Sequence, residues 1–138
     1  MSTNILTIGG SLRDRGKAFT FAMWAAQLAV AGILGMAAFS KLFAYTPEGS
    51  LALAAALGVG RGVITVIGLV ELSAAALILI PGRHVHGALL AGLVMSGALL
   101  THATKLGWSG NAAAEMWPLA LLVLAAAGFV FIGRRARP

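Results

Sequence analysis

The amino-acid sequence predicts an all-α fold: an integral membrane four-helix bundle with a short outer interfacial helix between spans one and two. The chain has 138 residues, of which 59% are hydrophobic and 10% are charged, whereas a soluble domain carries about 25% charged residues. Four apolar segments each approach the roughly 20 residues that cross a bilayer core. Together they occupy most of the chain and leave no room for a water-soluble catalytic domain.

The predicted spans are residues 18–40, 62–80, 85–104 and 116–132. The preceding residues, 1–17, show no helical period and are expected to form a cytoplasmic arm. The membrane domain then covers residues 18–133, and residues 134–138 form a basic cytoplasmic tail. The first apolar run is longer than the roughly 7–15 residues of a signal-peptide core, so we interpret it as an uncleaved membrane helix.

The connections between the spans also carry structural signals. After span one, LALAAALG offers about two turns of good helix formers with Gly58 placed to end them, which is too short to cross a bilayer. The PGRHVHG segment is a tight proline–glycine turn that makes spans two and three antiparallel neighbours. Trp108 and Trp117 are expected at the outer membrane interface.

Basic residues set the predicted orientation. Seven of the ten lysines and arginines flank the spans on one side, and the positive-inside rule places that side, with both termini, in the cytoplasm. Loops 42–61 and 105–115 then face outward. Because the positive charge is divided among three membrane-flanking sites, it favours contact with lipid head groups over binding of nucleic acid.

Four polar side chains inside or beside the apolar spans are candidates for ligand binding or proton handling: Gln27, Lys41, Glu71 and His102. Counting from the cytoplasmic ends of the spans puts Gln27 and Glu71 near the bilayer midplane, with Lys41 and His102 roughly 12 Å or more further out. A carboxylate that faced lipid would be costly, so Glu71 should face the bundle interior.

Two arrangements are open for the Glu71 carboxyl group. It can stay protonated and hydrogen-bond to Gln27 or Ser73, or it can ionise against Lys41 or His102 in a hydrated pocket. A purely structural role, in which Glu71 joins helices through buried hydrogen bonds, is the alternative to a functional one.

Metal binding is not expected. His84 and His86 form an H-x-H pair, but they lie in the turn between spans two and three, about 25 Å from His102, with no further ligands nearby. The chain has no cysteine, which excludes thiolate ligation within it.

Three segments resemble the DoxX family of small four-helix bacterial membrane proteins. They are GILGMAAFSKLF at the end of span one, GLVELSAAALILIPG in span two and GALLTHATKLG at the end of span three. In this resemblance Lys41, Glu71 and His102 occupy the matching places. It implies a location in the bacterial cytoplasmic (inner) membrane and proximity to quinones or redox enzymes.

Three functions compete on these grounds. The first is a non-catalytic accessory or structural subunit of a larger membrane complex, with no cofactor of its own; the Ala88–Gly92–Ser96 row is also a candidate face for self-association. The second is a subunit that binds a quinone or similar amphiphile, with His102 or Lys41 bonding a carbonyl and Glu71 moving a proton. The third, transport, has less support because four unbroken spans make a small transporter.

Overall fold

The computed structural model describes residues 4–47, 49–110 and 114–136, with side chains from residue 14 onward, and is helical in each of these ranges. Five α-helices are present in the described residues: α1 (Asn4–Phe43), α2 (Ser50–Leu57), α3 (Arg61–Leu79), α4 (His84–Thr101) and α5 (Trp117–Arg135). A π-helical turn, His102–Leu106, extends α4, and a 3₁₀ turn, Ala114–Met116, precedes α5.

Four of these segments are long and apolar enough to cross a membrane: Asp14–Phe43, Arg61–Leu79, His84–Leu106 and Ala114–Arg135. They coincide with the four predicted spans to within a few residues. The predicted all-α four-helix bundle is therefore confirmed, and the chain is a multi-pass membrane protein.

The four long helices form a ring in which each packs against two others. Helix α1 contacts α3 and α5, and α4 contacts the same two helices, which is the neighbour relation of an up-down-up-down bundle. We call the end that holds the start of α1 and the end of α5 the terminal end, since Gly133 there lies against Phe19 and Met23. The opposite end, with α2 and residues 102–110 and 114–116, is the loop end.

The core is built from one inward-facing stripe on each long helix. Buried residues recur three and four positions apart, as they do along a helix that faces its neighbours in a bundle. We call these sets the inward stripes. They include Met23, Gln27, Val30, Leu34 and Ala38 on α1; Ile64, Gly68, Glu71, Ala75 and Ile78 on α3; Ala88, Ala91 and Met95 on α4; and Ala120, Val123, Ala127 and Val130 on α5.

Helix α1 is 40 residues long, which corresponds to about 60 Å. The absence of a helical period from residues 1–17 gave no sign of this length, because residues 4–17 continue α1; residues 1–3 lie outside the described part of the chain. A helix that is already nucleated propagates at little cost, and no proline interrupts this segment. About 22 Å of helix precedes Phe19 and so extends past the end of α5.

The predicted basic tail also begins later than expected. Helix α5 continues to Arg135, so residues 134 and 135 belong to the bundle, and residues 137 and 138 lie outside the described residues. The reason for the difference is that the Arg134 side chain finds a buried partner, which is described below.

The short helix predicted between spans one and two is confirmed as α2. Gly58 ends it in the left-handed conformation, with φ 67°, and the Val59 and Gly58 N–H groups donate to Ala54 O (3.0 Å) and Ala55 O (3.1 Å). This is the Schellman arrangement, which satisfies helix-terminal carbonyls. Ser50 attaches the start of α2 to α1, because its hydroxyl donates to Ser40 O at 2.8 Å.

The turn between α3 and α4 brings the backbones of those two helices close together. Gly82 has φ 77° and follows Pro81, as a type II turn requires. At Gly87, one turn into α4, an added Cβ would overlap the backbone of Ile78 on α3. The absence of a side chain at position 87 therefore sets the distance between the two helices.

The Ala88–Gly92–Ser96 row makes most of its packing contacts within one chain. Ala88 is buried, and a Cβ added at Gly92 would lie 3.9 Å from the Leu124 side chain of α5, while Ser96 remains exposed. This row therefore serves helix packing within the bundle, and only its Ser96 end is open to another molecule.

We expect Gly87→Ala to lower the free energy of unfolding by about 1–3 kcal/mol, because the methyl group forces α3 and α4 apart. Gly97→Ala is the matched control: it lies on the same helix, and a Cβ added there would meet nothing within 4 Å. Thermal unfolding of the purified proteins in detergent measures both. Equal stability of the two variants would contradict the close contact at Gly87.

Candidate functional site

The polar residues of the inward stripes form two groups at different depths. Lys41 and Glu71 make an ion pair toward the loop end, which we call the ion-pair cluster. Gln27, His84, Arg134 and Trp24 meet near the terminal end, which we call the amide cluster. Seven residues of α3, or about 10 Å, separate Glu71 from Ile78, the residue at which the amide cluster touches α3.

The Lys41 ammonium group binds both oxygens of the Glu71 carboxylate. Its Nζ lies 3.0 Å from Oε1 and 2.9 Å from Oε2, and its third donor direction is taken by Ala37 O at 3.4 Å. The side chains are 13% and 4% exposed. All three N–H donors of the ammonium group therefore have an acceptor within the bundle.

Glycine at position 68 is what allows the two residues to meet. A Cβ added at Gly68 would lie 3.1 Å from Lys41 Cβ, so α1 and α3 approach closely at this level. Glu71 is one helical turn deeper, about 4.5 Å along the axis. The lysine side chain consequently extends toward the membrane centre, against the direction in which lysines usually extend to reach water.

The structure shows which of the predicted neighbours the Glu71 carboxyl group contacts. The carboxylate meets Lys41, while Ser73 is exposed and donates to its own helix at Leu69 O, 2.8 Å away. A buried pair of opposite charges is neutral as a unit, whereas either charge alone in this environment is strongly destabilising. The pair therefore holds α1 to α3.

His102 lies at the loop end of α4, where it is 5% exposed. Its Nδ1 lies 2.8 Å from Ala98 O on the same helix, and its ring stacks on Trp108 with centroids 6.1 Å apart. Counted along the helices from the contact between Gly87 and Ile78, the backbone of His102 is about 12 Å further toward the loop end than that of Glu71. The structure thus brings Lys41 and Glu71 together and places His102 at a different level.

His102 lies beside aromatic side chains, and it is the first residue of an irregular helical turn. Trp117 meets Trp108 edge to face at 5.7 Å and donates its Nε1–H to Trp108 O at 3.1 Å. Both tryptophans lie at the loop end, as expected for residues at a membrane interface. The π-helical turn that starts at His102 is a departure from α-helical geometry of a kind found frequently at functional sites.

Gln27 does not lie at the depth predicted for it. The count from the apolar boundary at residue 18 put it level with Glu71, but the structure places it beside Ile78 and fully buried. The error has a physical cause: residues 18–22 are apolar and helical, yet they lie at the level where α5 ends. Composition marks where a segment becomes apolar, not where it enters the bundle.

The Gln27 amide completes the end of α3. Its Nε2 donates to Ile78 O at 2.5 Å and lies 2.6 Å from His84 Nδ1, which is itself 2.8 Å from Ile78 O. The last carbonyls of a helix lack partners within it, and a buried one must find another donor. The direction of the bond between Gln27 and His84 depends on which ring nitrogen of His84 carries the proton.

Arg134 supplies the remaining half of the amide cluster. Its Nη2 donates to Gln27 Oε1 at 2.6 Å, and its guanidinium group lies over the Trp24 ring, 5.6 Å from the centroid. The same indole meets the His84 ring edge to face at 6.1 Å. Three helices, α1, α4 and α5, are thus joined at the carboxyl end of α3.

Sequence reasoning missed His84, Arg134 and Trp24 as members of this site. A signal for two of them is present in the spacing: His84 continues the inward stripe of Ala88, Ala91 and Met95, and Arg134 follows Val130 by four positions. Because His84 was assigned to a turn and Arg134 to a tail, their place in the inward stripes was not recognised.

The described residues contain no group of three or more His, Cys, Asp or Glu side chains that could hold a metal ion. His86 is exposed, and its neighbour His84 is engaged with Gln27. Comparison of the chain with protein-family models, with curated proteins and with solved structures finds no match. The relation to the DoxX family therefore remains a prediction.

We expect Glu71→Gln to lower the free energy of unfolding by about 3–5 kcal/mol, because it leaves the Lys41 ammonium group buried without a counter-charge. The double variant Lys41→Met/Glu71→Leu should recover to within about 1 kcal/mol of wild type or exceed it, since apolar residues of similar volume replace both charges. Thermal unfolding in detergent measures these differences. Glu115→Gln, at an exposed residue, is the control and should change stability little; an equal loss in the two single variants would contradict the role of the pair.

Proposed function

We propose that the chain is a DoxX-like integral membrane protein that acts as a non-catalytic accessory or structural subunit of a larger membrane complex, one with redox activity. The observation that carries this proposal is the complete engagement of the Lys41 ammonium group: Glu71 and Ala37 O take its three donor directions. A group that is to bind a substrate needs a free donor or acceptor. Here those donors hold helices together.

The other intramembrane candidates support the same role. Both ends of the Gln27 amide are bonded, to Ile78 O and His84 on one side and to Arg134 on the other. Each bond joins two different helices or a helix and the adjacent turn. In an apolar solvent, packing contacts and interhelical hydrogen bonds are the forces that assemble a bundle.

A surface for a partner is available on the outside of the ring. Large apolar side chains point away from the core on every long helix, among them Phe21, Met36, Phe39, Leu93, Leu100 and Ile132, each more than 60% exposed. Lipid covers such side chains in a membrane, and the apolar face of another membrane subunit can replace it.

The proposed location is the bacterial cytoplasmic membrane, with the terminal end of the bundle in the cytoplasm. Support comes from the distribution of described basic residues, which favours the terminal end. That end has Arg15, Lys17, Arg83, Arg134 and Arg135, and the loop end has Lys41, Arg61 and Lys105.

Because the chain has no cysteine, single substitutions test this orientation. We expect Ser109→Cys, exposed at the loop end, to react with a membrane-impermeant maleimide in cells whose outer membrane has been permeabilised. Ala136→Cys, exposed at the terminal end, should react only after the inner membrane is disrupted. The reverse pattern of labelling would place the termini outside.

The accessory role is tested with the Lys41→Met/Glu71→Leu variant in the native host. We expect the tagged double variant to co-purify with the same partner proteins as wild type and the complex to retain its turnover, because an apolar pair preserves the packing. The measurement is recovery of the complex together with its activity per complex.

A second candidate, binding of a quinone or similar amphiphile, is favoured by the buried His102 beside Trp108 and the π-helical turn. It predicts the opposite result: a folded double variant that keeps its partners but loses turnover, since neither Met nor Leu can exchange a proton. Quinone extracted with the purified wild type, and lost from that variant, would add to the same conclusion.

A further inference from the structure

The Arg134 guanidinium group lies in the bundle without an acidic partner among the described residues. The four acidic residues of the sequence are Asp14, Glu48, Glu71 and Glu115. Glu71 is paired with Lys41, Glu115 precedes α5 at the loop end, and Glu48 lies outside the described residues. Asp14 is ten residues from Trp24 along α1, which is about 15 Å. No carboxylate side chain in the described part of the chain therefore neutralises Arg134.

The guanidinium group is nevertheless held in a defined position. Gln27, whose own side chain is fully buried, accepts a hydrogen bond from Nη2 at 2.6 Å, and the guanidinium group lies over the Trp24 ring. A guanidinium group carries five N–H donors, and Gln27 Oε1 is the acceptor that the described residues offer to it. Its Nε is buried without a hydrogen-bond partner among those residues.

Two further features at this position favour a negative ligand. Helix α4 begins at His84, which shares Gln27 and Trp24 with Arg134, and no side chain caps its first N–H groups. The amino-terminal end of a helix carries partial positive charge and free N–H donors. Arg83 immediately precedes α4 and adds positive charge to this neighbourhood.

The depth of Arg134 points to a specific chemistry. Its neighbour Gly133 lies against Phe19 and Met23, at the level where α5 ends and where the apolar part of the bundle gives way to basic residues. In a membrane this is the level of the head groups, whose phosphates match the paired N–H donors of arginine.

We infer that Arg134, positioned by Gln27 and Trp24, binds a phosphate group at the terminal end of the bundle. The phosphate belongs to an anionic lipid head group or to a soluble phosphate compound. Two N–H donors of the guanidinium group meet its oxygens, and the free amides at the start of α4 add to the field that attracts it. This site does not rest on the proposed accessory function.

Titration of the full-length protein in detergent tests the site, with dihexanoyl phosphatidylglycerol as the lipid probe and inorganic phosphate as the soluble probe. Binding of the lipid probe alone assigns the site to a head group, and competition by inorganic phosphate assigns it to a soluble phosphate. Either result supports the site only together with the difference expected between two arginine variants.

The variant pair is Arg134→Gln and Arg135→Gln, which remove the same charge from adjacent residues. Arg135 lies over Phe131 and is exposed. We expect Arg134→Gln to weaken binding of the probe by about tenfold or more, the loss of a charge-assisted contact. Arg135→Gln should weaken it by no more than about twofold, because the charge of an exposed side chain is screened by water and salt.

Arg134→Lys keeps the positive charge and serves if Arg134→Gln does not fold. It should bind the probe more weakly than wild type, since an ammonium group lacks the paired donors. The proposal is overturned if wild type binds neither probe, if the two glutamine variants lose affinity equally, or if a folded Arg134 variant binds as wild type does.

Discussion

Pairing of the Lys41 ammonium group with the Glu71 carboxylate is the constraint on which the alignment of α1 and α3 depends. Apart from this pair and the bond from Gln27 to Ile78 O, the buried side chains of these helices are methionine, valine, leucine, isoleucine and small residues, which do not fix a single alignment. A shift of α1 by one turn, about 5.4 Å, would separate the charges and leave each in apolar surroundings. The close approach at Gly68 and the depth of Gln27 beside Ile78 follow from the same alignment.

Both polar clusters join helices through buried polar contacts, but they differ in net charge. The ion-pair cluster is neutral, and acceptors within the protein take all the N–H donors of its ammonium group. It therefore joins helices without needing a ligand from outside the chain. The amide cluster also joins helices, by completing the end of α3, but it ends in an arginine whose charge no described side chain balances. We therefore connect the first cluster with the proposed structural role and the second with the proposed phosphate ligand.

Much of the architecture could be predicted because the bilayer restricts the choices. In lipid, a twenty-residue apolar run predicts a membrane-spanning helix. The Pro81–Gly82 pair likewise predicts a tight turn, and Gly58 predicts the end of a helix. The helices begin and end close to where they were expected. The relative depth of helices was not predictable in this way: Gln27 and Glu71 differ by about 10 Å, because contacts between α1 and α3, such as the Lys41–Glu71 pair, set the alignment of these two helices. His84 and Arg134 were missed because polar side chains at the edge of a span can point into the bundle when a buried polar group, here the Gln27 amide, is within hydrogen-bonding distance.

The contact at Gly87 also bears on how the bundle is assembled. It joins α4 to Ile78, nine positions earlier, across the shortest connection between long helices. By contrast, the ion pair spans 30 positions and the bond from Arg134 to Gln27 spans 107. The entropy lost on closing a loop increases with its length. The α3–α4 hairpin is thus the part of the ring that chain entropy opposes least, and the junction of the first and last helices is the part that it opposes most.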